Sequence, residues 1–247
     1  GLVTCASMAD QLPVQSAMLL PQEIVDSDFS RCVGGRAKRV GFRGLGEFAS
    51  HLGTYIESSD STQYLYAYWS ELDHLSHLYG PSDERVFRHF VELERQLLPV
   101  LETAAAHDCA VIVTADHGFL DSGPAECLEL DAHPRLADML AMPLFGEPRS
   151  AYCIVRKGCD DEFEHYIKQE LDDYVTAVPS ADLIADRWFG LGERHPELAA
   201  RVGDYTLQMK QRYTIRDRLL SERAFDLHGM HGGVTAAEQW VPLILFS

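Results

Sequence analysis

The run Val111-Ile-Val-Thr-Ala-Asp-His-Gly118 constrains this chain most. Apolar and β-branched residues follow one another without alternation. That pattern predicts a central strand of a parallel sheet, covered on both faces. The strand runs directly into Asp116 and His117. In open α/β sheets, ligands bind beyond the carboxyl ends of the strands, so a carboxylate and an imidazole are delivered together to that edge. Gly118 allows a sharp turn and a close approach. An ordinary polar turn after a strand would use the same residues, so the run alone assigns no metal.

Two other stretches add weight. Asp73 and His77 stand four apart, before Gly80-Pro81, and His228 and His231 precede Gly232-Gly233. Taken singly each cluster is weak, because Asp and His at such spacing arise by chance in a chain with 11 histidines. His74 is expected to be solvated, and His228 to face solvent or cap a loop. His51, His89, His107, His133, His165 and His195 receive no role. Carboxylate oxygen with imidazole suits Zn²⁺, with Mn²⁺ or Fe as alternatives. No cysteine accompanies the clusters, which argues against a structural zinc ribbon. Ligand sets of this type usually keep an open position, and two ions ~3.5–4 Å apart can clamp a phosphoryl transfer.

The net charge of −17 argues against a nucleic-acid backbone or an anionic membrane as partner. No apolar run is long enough to cross a bilayer. The six cysteines are scattered, and Cys5, Cys109 and Cys153 lie in apolar segments. Buried free thiols are expected, and with them a reducing, cytoplasmic setting.

Along the chain, residues 1–8 read as a buried strand and residues 9–43 as mixed. Arg36, Lys38 and Arg39 there form a basic cluster, read as a solvated face. A helix is expected over 44–58, a strand over Gln63–Trp69, and a loop from Ser70 to Pro81. Ser82 is expected to cap a long helix over 83–106, with Val86, Phe90, Leu93, Leu97 and Leu101 facing inward and Pro99 as a bend. Strands are expected at Ser150–Arg156 and Tyr205–Met209, and a helix over 160–175. Thr235 and Glu238 have capping-box spacing, and Val241–Phe246 reads as a final core strand. Residues 120–222 form an expected inserted α+β subdomain, with further core strands as the alternative. The core is then 1–119 with 223–247.

These motifs carry a resemblance. Asp73-His-Leu-Ser-His77-Leu-Tyr-Gly80-Pro81, Thr114-Ala-Asp116-His117-Gly118, and Met230-His231-Gly232-Gly233 with Glu238 and Val241-Pro242-Leu243 resemble, in order, motifs of the nucleotide pyrophosphatase/phosphodiesterase (type I phosphodiesterase) branch of the alkaline phosphatase superfamily. The resemblance implies an α/β fold, with a mostly parallel sheet sandwiched by helices and an inserted α+β subdomain. It also implies hydrolysis of phosphodiester or pyrophosphate bonds in a small phosphodiester or nucleotide substrate. Two divalent ions are implied, one held by Asp73, His77 and His231, the other in part by Asp116 and His117. The family's Thr or Ser nucleophile and first-strand aspartate have no counterpart here. They are expected upstream of Gly1, which makes this chain an expected C-terminal part, inactive alone, and the missing segment a candidate partner. Thr4 and Ser7 are not favoured as substitutes. Phosphomonoesterase, phosphonate hydrolase and mutase activities on the same scaffold, or a non-catalytic metal-binding domain, stay open.

Overall fold

The computed structural model describes residues 6–58, 60–217 and 227–247. The strand expected over 1–8 lies largely outside them. Its last residues do otherwise: Ser7 caps helix α1 (Met8–Gln11), its hydroxyl accepting from the Asp10 amide at 3.1 Å. The chain forms two compact units, one of residues 1–75, 84–114 and 242–247, the other of residues 76–83 and 115–241.

The first unit is built on three parallel strands in the order β2 (Lys38–Phe42), β1 (Gln15–Pro21), β3 (Gln63–Ala67). Leu19 pairs with Val40 on one side and with Ala67 on the other. Helix α2 (Asp28–Gly34) links β1 to β2, and α3 (Gly44–Glu57) links β2 to β3. Leu19 is fully buried beside Phe42 and Phe48, and Val40, Leu52, Leu65, Trp69 and Leu97 pack around them. Trp69 stacks on His89 and donates Nε1–H to its Nε2 at 2.9 Å. Helix α5 (Glu84–Ala106) packs on α3. Its inward stripe holds at Val86 but not at Phe90, which is half exposed.

Strand β4 (Val111–Thr114) departs from expectation. Among the described residues it pairs only with β13 (Leu243–Phe246), antiparallel, with Thr114 opposite Leu243. An unbroken apolar run shows that both faces can be buried; it does not say which strand lies alongside. β13 is likewise no core strand here, since Leu243 is 70% exposed and Leu245 67%.

The segment expected to be a loop after Ser70 is helix α4 (Glu71–Tyr79), which runs from the first unit into the second. Leu72, Leu75 and Leu78 recur at helical spacing, and only Gly80-Pro81 speaks for a turn. Gly80 ends the helix at φ +86, its amide reaching back to the Ser76 carbonyl at 2.9 Å. Helix α5 begins at Glu84, and the hydroxyl of Ser82 donates to Asp121.

The second unit centres on four antiparallel strands in the order β7 (Phe145–Glu147), β8 (Ser150–Cys153), β10 (Tyr205–Met209), β9 (Val175–Pro179). Helices α6 (Pro134–Met139) and α7 (Asp160–Glu170) contribute Leu136, Phe163 and Ile167 to a core shared with Cys153, Val175 and Leu207. Fully burying one such side chain stabilises by about 1.5–3 kcal/mol. Short helices α8 (Ser180–Ala185) and α9 (Leu198–Val202) flank β9 and β10. Smaller pairs are β6 (Cys127–Glu129) with β11 (Thr214–Arg216), parallel, and β5 (Leu120–Asp121) with β12 (Gly229–Met230), antiparallel. Helix α10 (Ala236–Gln239) begins at the expected capping box of Thr235 and Glu238. The architecture is α/β, a parallel sheet with helices joined to an α+β unit. Among the described residues no helix is long and apolar enough to cross a membrane.

Candidate metal centre

The β5–β12 pairing assembles the site. Leu120 lies opposite Met230 and Asp121 opposite Gly229. Extending that register by one residue sets Phe119 opposite His231, with His117 two residues earlier. The second half of α4 is tied to the same pair, since the His228 amide donates to the His77 carbonyl at 2.9 Å. Gly229 is required there: a Cβ would fall 2.1 Å from the Ser76 carbonyl oxygen.

Three imidazoles converge as a result. His117 and His231 stack face to face, with centroids 3.6 Å apart and planes 11° apart. His77 lies 5.0 Å from His231. Phe119 packs among all three, at 4.8 Å from His77, 5.3 Å from His117 and 5.0 Å from His231. His77 Nδ1 meets the Gly229 carbonyl at 2.9 Å, and His117 Nδ1 meets the Gly118 carbonyl at 3.1 Å. A carbonyl oxygen only accepts, so Nδ1 donates in both rings, which leaves Nε2 as the nitrogen available to a ligand. Pinning one ring nitrogen on a backbone carbonyl is how metal-ligating histidines are usually oriented.

Asp116 stands beside this group. One carboxylate oxygen accepts from the His117 amide at 3.2 Å and lies 3.7 Å from His117 Nε2, with the side chain 72% exposed. Asp73 sits one turn before His77 on α4, on the same helix face. His228 is exposed. The tightest ring pair is His117 with His231, although the resemblance distributes those two residues between different ions. Carboxylate and imidazole side chains with oriented Nε2 atoms form a donor set that fits a divalent ion such as Zn²⁺.

Behind the rings lies a buried ion pair. Arg149 and Glu238 side chains are 0% and 1% exposed, joined by Nε to Oε1 at 2.9 Å and Nη2 to Oε2 at 2.8 Å. Burial pushes the Glu238 carboxyl up, but hydrogen bonds from Arg149, Thr235 and the Gly233 amide outweigh it and hold it below the usual carboxylate value. Phe119 and Arg149 had escaped the reading of the sequence. Phe119 could have been found by its position two residues after His117. Arg149 gives no local signal, since its partner is 89 residues away.

Comparison with known proteins bears on the family and the fold. The family model of type I phosphodiesterase / nucleotide pyrophosphatase matches residues 12–234. No curated protein sequence matches the chain. Among solved structures it is similar to murine ectonucleotide pyrophosphatase/phosphodiesterase 5 in complex with AMP, at TM-score 0.61 and 16% identity over 95% of this chain and 60% of that one. The human protein of that name gives 0.64 and 16%, over 96% and 61%. Phosphonoacetate hydrolase from Sinorhizobium meliloti 1021, in complex with phosphonoformate, gives 0.64 and 15%, over 94% and 65%. The chain therefore spans less than two thirds of the length of these relatives. On the breadth of the family match, the chain belongs to the type I phosphodiesterase / nucleotide pyrophosphatase family.

Proposed function

We propose that this chain carries the divalent-metal site of a hydrolase acting on phosphodiester or pyrophosphate bonds, with a nucleotide as the substrate class. The convergence of His77, His117 and His231, with Nδ1 of two of them held by backbone carbonyls, carries the reading. Asp73 supplies the carboxylate that makes the group with His117 and His231 competent for one ion. A second ion, at Asp116, fits the exposed carboxylate there. Zn²⁺ is the favoured ion, because imidazole and carboxylate donors stand together. Such an ion, when bound, supplies positive charge opposite the charge that develops on phosphoryl oxygens in transfer. The chain's own residues hold and orient: Phe119 fills the space between the rings, and backbone carbonyls set their tautomers. AMP in the murine relative supports a nucleotide as the ligand class. We assign no nucleophile within residues 1–247.

Zn²⁺ titration calorimetry tests this directly. The protein is expected to bind the ion, and His231→Ala and His117→Ala each to weaken binding at least tenfold. Unchanged affinity in both variants would refute the site. Phosphonate hydrolysis is the second reading, favoured by the likeness to phosphonoacetate hydrolase. Parallel assays with bis-p-nitrophenyl phosphate and phosphonoacetate, with and without chelator, separate the two.

A further inference from the structure

Glu238 touches both histidine-bearing loops at once. Its Oε1 accepts from the Gly233 amide at 2.8 Å, and its Oε2 accepts from the Thr235 hydroxyl at 2.6 Å. Its backbone carbonyl accepts from the Gly118 amide at 2.8 Å. Gln239 adds a side-chain bond to the Gly233 carbonyl at 2.8 Å. Gly118 follows His117, and Gly233 lies two residues after His231, so one turn of helix clasps both ligand loops. The glycines permit the clasp. A Cβ on Gly118 would fall 1.9 Å from the Ala237 carbonyl oxygen, and one on Gly233 would fall 2.8 Å from both Glu238 carboxylate oxygens.

Arg149 fixes the clasp from behind. It stands just before β8, with its own carbonyl held by the Met209 amide at 3.0 Å. Its planar guanidinium grips both Glu238 oxygens and also donates to the Tyr213 carbonyl. Stability alone does not explain such a pair, since apolar residues of similar volume often stabilise as well. What the pair supplies is one fixed geometry.

We propose that Arg149 and Glu238 are positioning residues, which hold the His117 and His231 rings in the arrangement that binds the ion. The proposal rests on the metal-site reading above and adds a role for two side chains bonded behind the loops that carry the rings.

The test uses Glu238→Gln, Arg149→Lys and the apolar double variant Arg149→Met with Glu238→Met. Two quantities are read: Zn²⁺ affinity by calorimetry, and the imidazole ring-proton shifts of His117 and His231 in metal-free protein. Each variant is expected to keep its circular dichroism, to move both sets of ring resonances, and to bind Zn²⁺ about 10- to 100-fold more weakly. The double variant keeps the question answerable if a single variant does not fold, because it leaves no unpaired buried charge. Folded variants with unmoved rings and unchanged affinity would overturn the proposal, and so would failure of all three to fold, which marks a requirement of the fold itself. If the parent protein binds no Zn²⁺, the metal reading falls, and the ring shifts alone decide: moved rings sustain the clasp and unmoved rings sink it.

Discussion

Two histidines stacked at 3.6 Å leave little room for error at the scale of single residues. Neighbouring rings and, for His117, a backbone hydrogen bond aim the pair, so small displacements change what it can bind. The Asp-His-Gly and His-Gly-Gly motifs show which residues can act. The Glu238 carboxylate and the Gly118 amide decide where they stand. His231 was singled out over His228 by the resemblance of Met230-His231-Gly232-Gly233 to a family motif, whereas placing His117 against His231 needed the β5–β12 register. Cys153 illustrates the opposite case, a reactive group type made inert by its surroundings. It is fully buried, and burial, with Asp204 nearby, pushes its thiol up to about 12. In a site-resolved alkylation experiment at pH ~8, Cys153 is expected to label only on unfolding, because the thiolate is the nucleophile. Labelling of Cys153 in native protein at the rate of the half-buried Cys109 would contradict this.

Among the elements, α3, α5 and β3 were legible because each has a clear apolar period. β1 and β2 were not, since Pro13, Pro21 and Gly34-Gly35 punctuate a short region that nevertheless holds two paired strands. Helix α4 was hidden by the turn residues that only terminate it. β13 is the element with a consequence for handling. Leu243, Ile244, Leu245 and Phe246 are exposed, and among the described residues β13 pairs only with β4, so its apolar edge is a template for self-association. Leu245→Lys is expected to reduce concentration-dependent aggregation, measured by light scattering, with a thermal midpoint within a few degrees of the parent. An undiminished aggregation rate would show that another surface drives it.

For the molecule as a whole, binding of the proposed ion is expected to be linked to folding, because the donor atoms meet only in the folded chain. With Zn²⁺ at about 100 times its Kd, stability is expected to rise by roughly 2.7 kcal/mol, which corresponds to a Tm higher by roughly 5–10 °C and reversed by chelator. Equal Tm values with saturating Zn²⁺ and with EDTA would contradict the linkage. The surplus of acidic residues acts in the same direction, since a bound cation lowers self-repulsion in a chain of net charge −17.

Local patterning was enough to indicate the α/β class, and three short motifs taken together carried the family resemblance, because apolar period and motif order are both written along the chain. Which rings stack, which strand lies beside β4, and how Arg149 reaches Glu238 from 89 residues away were decided only by the tertiary structure. Contacts between distant segments depend on register and burial, and no local pattern encodes either.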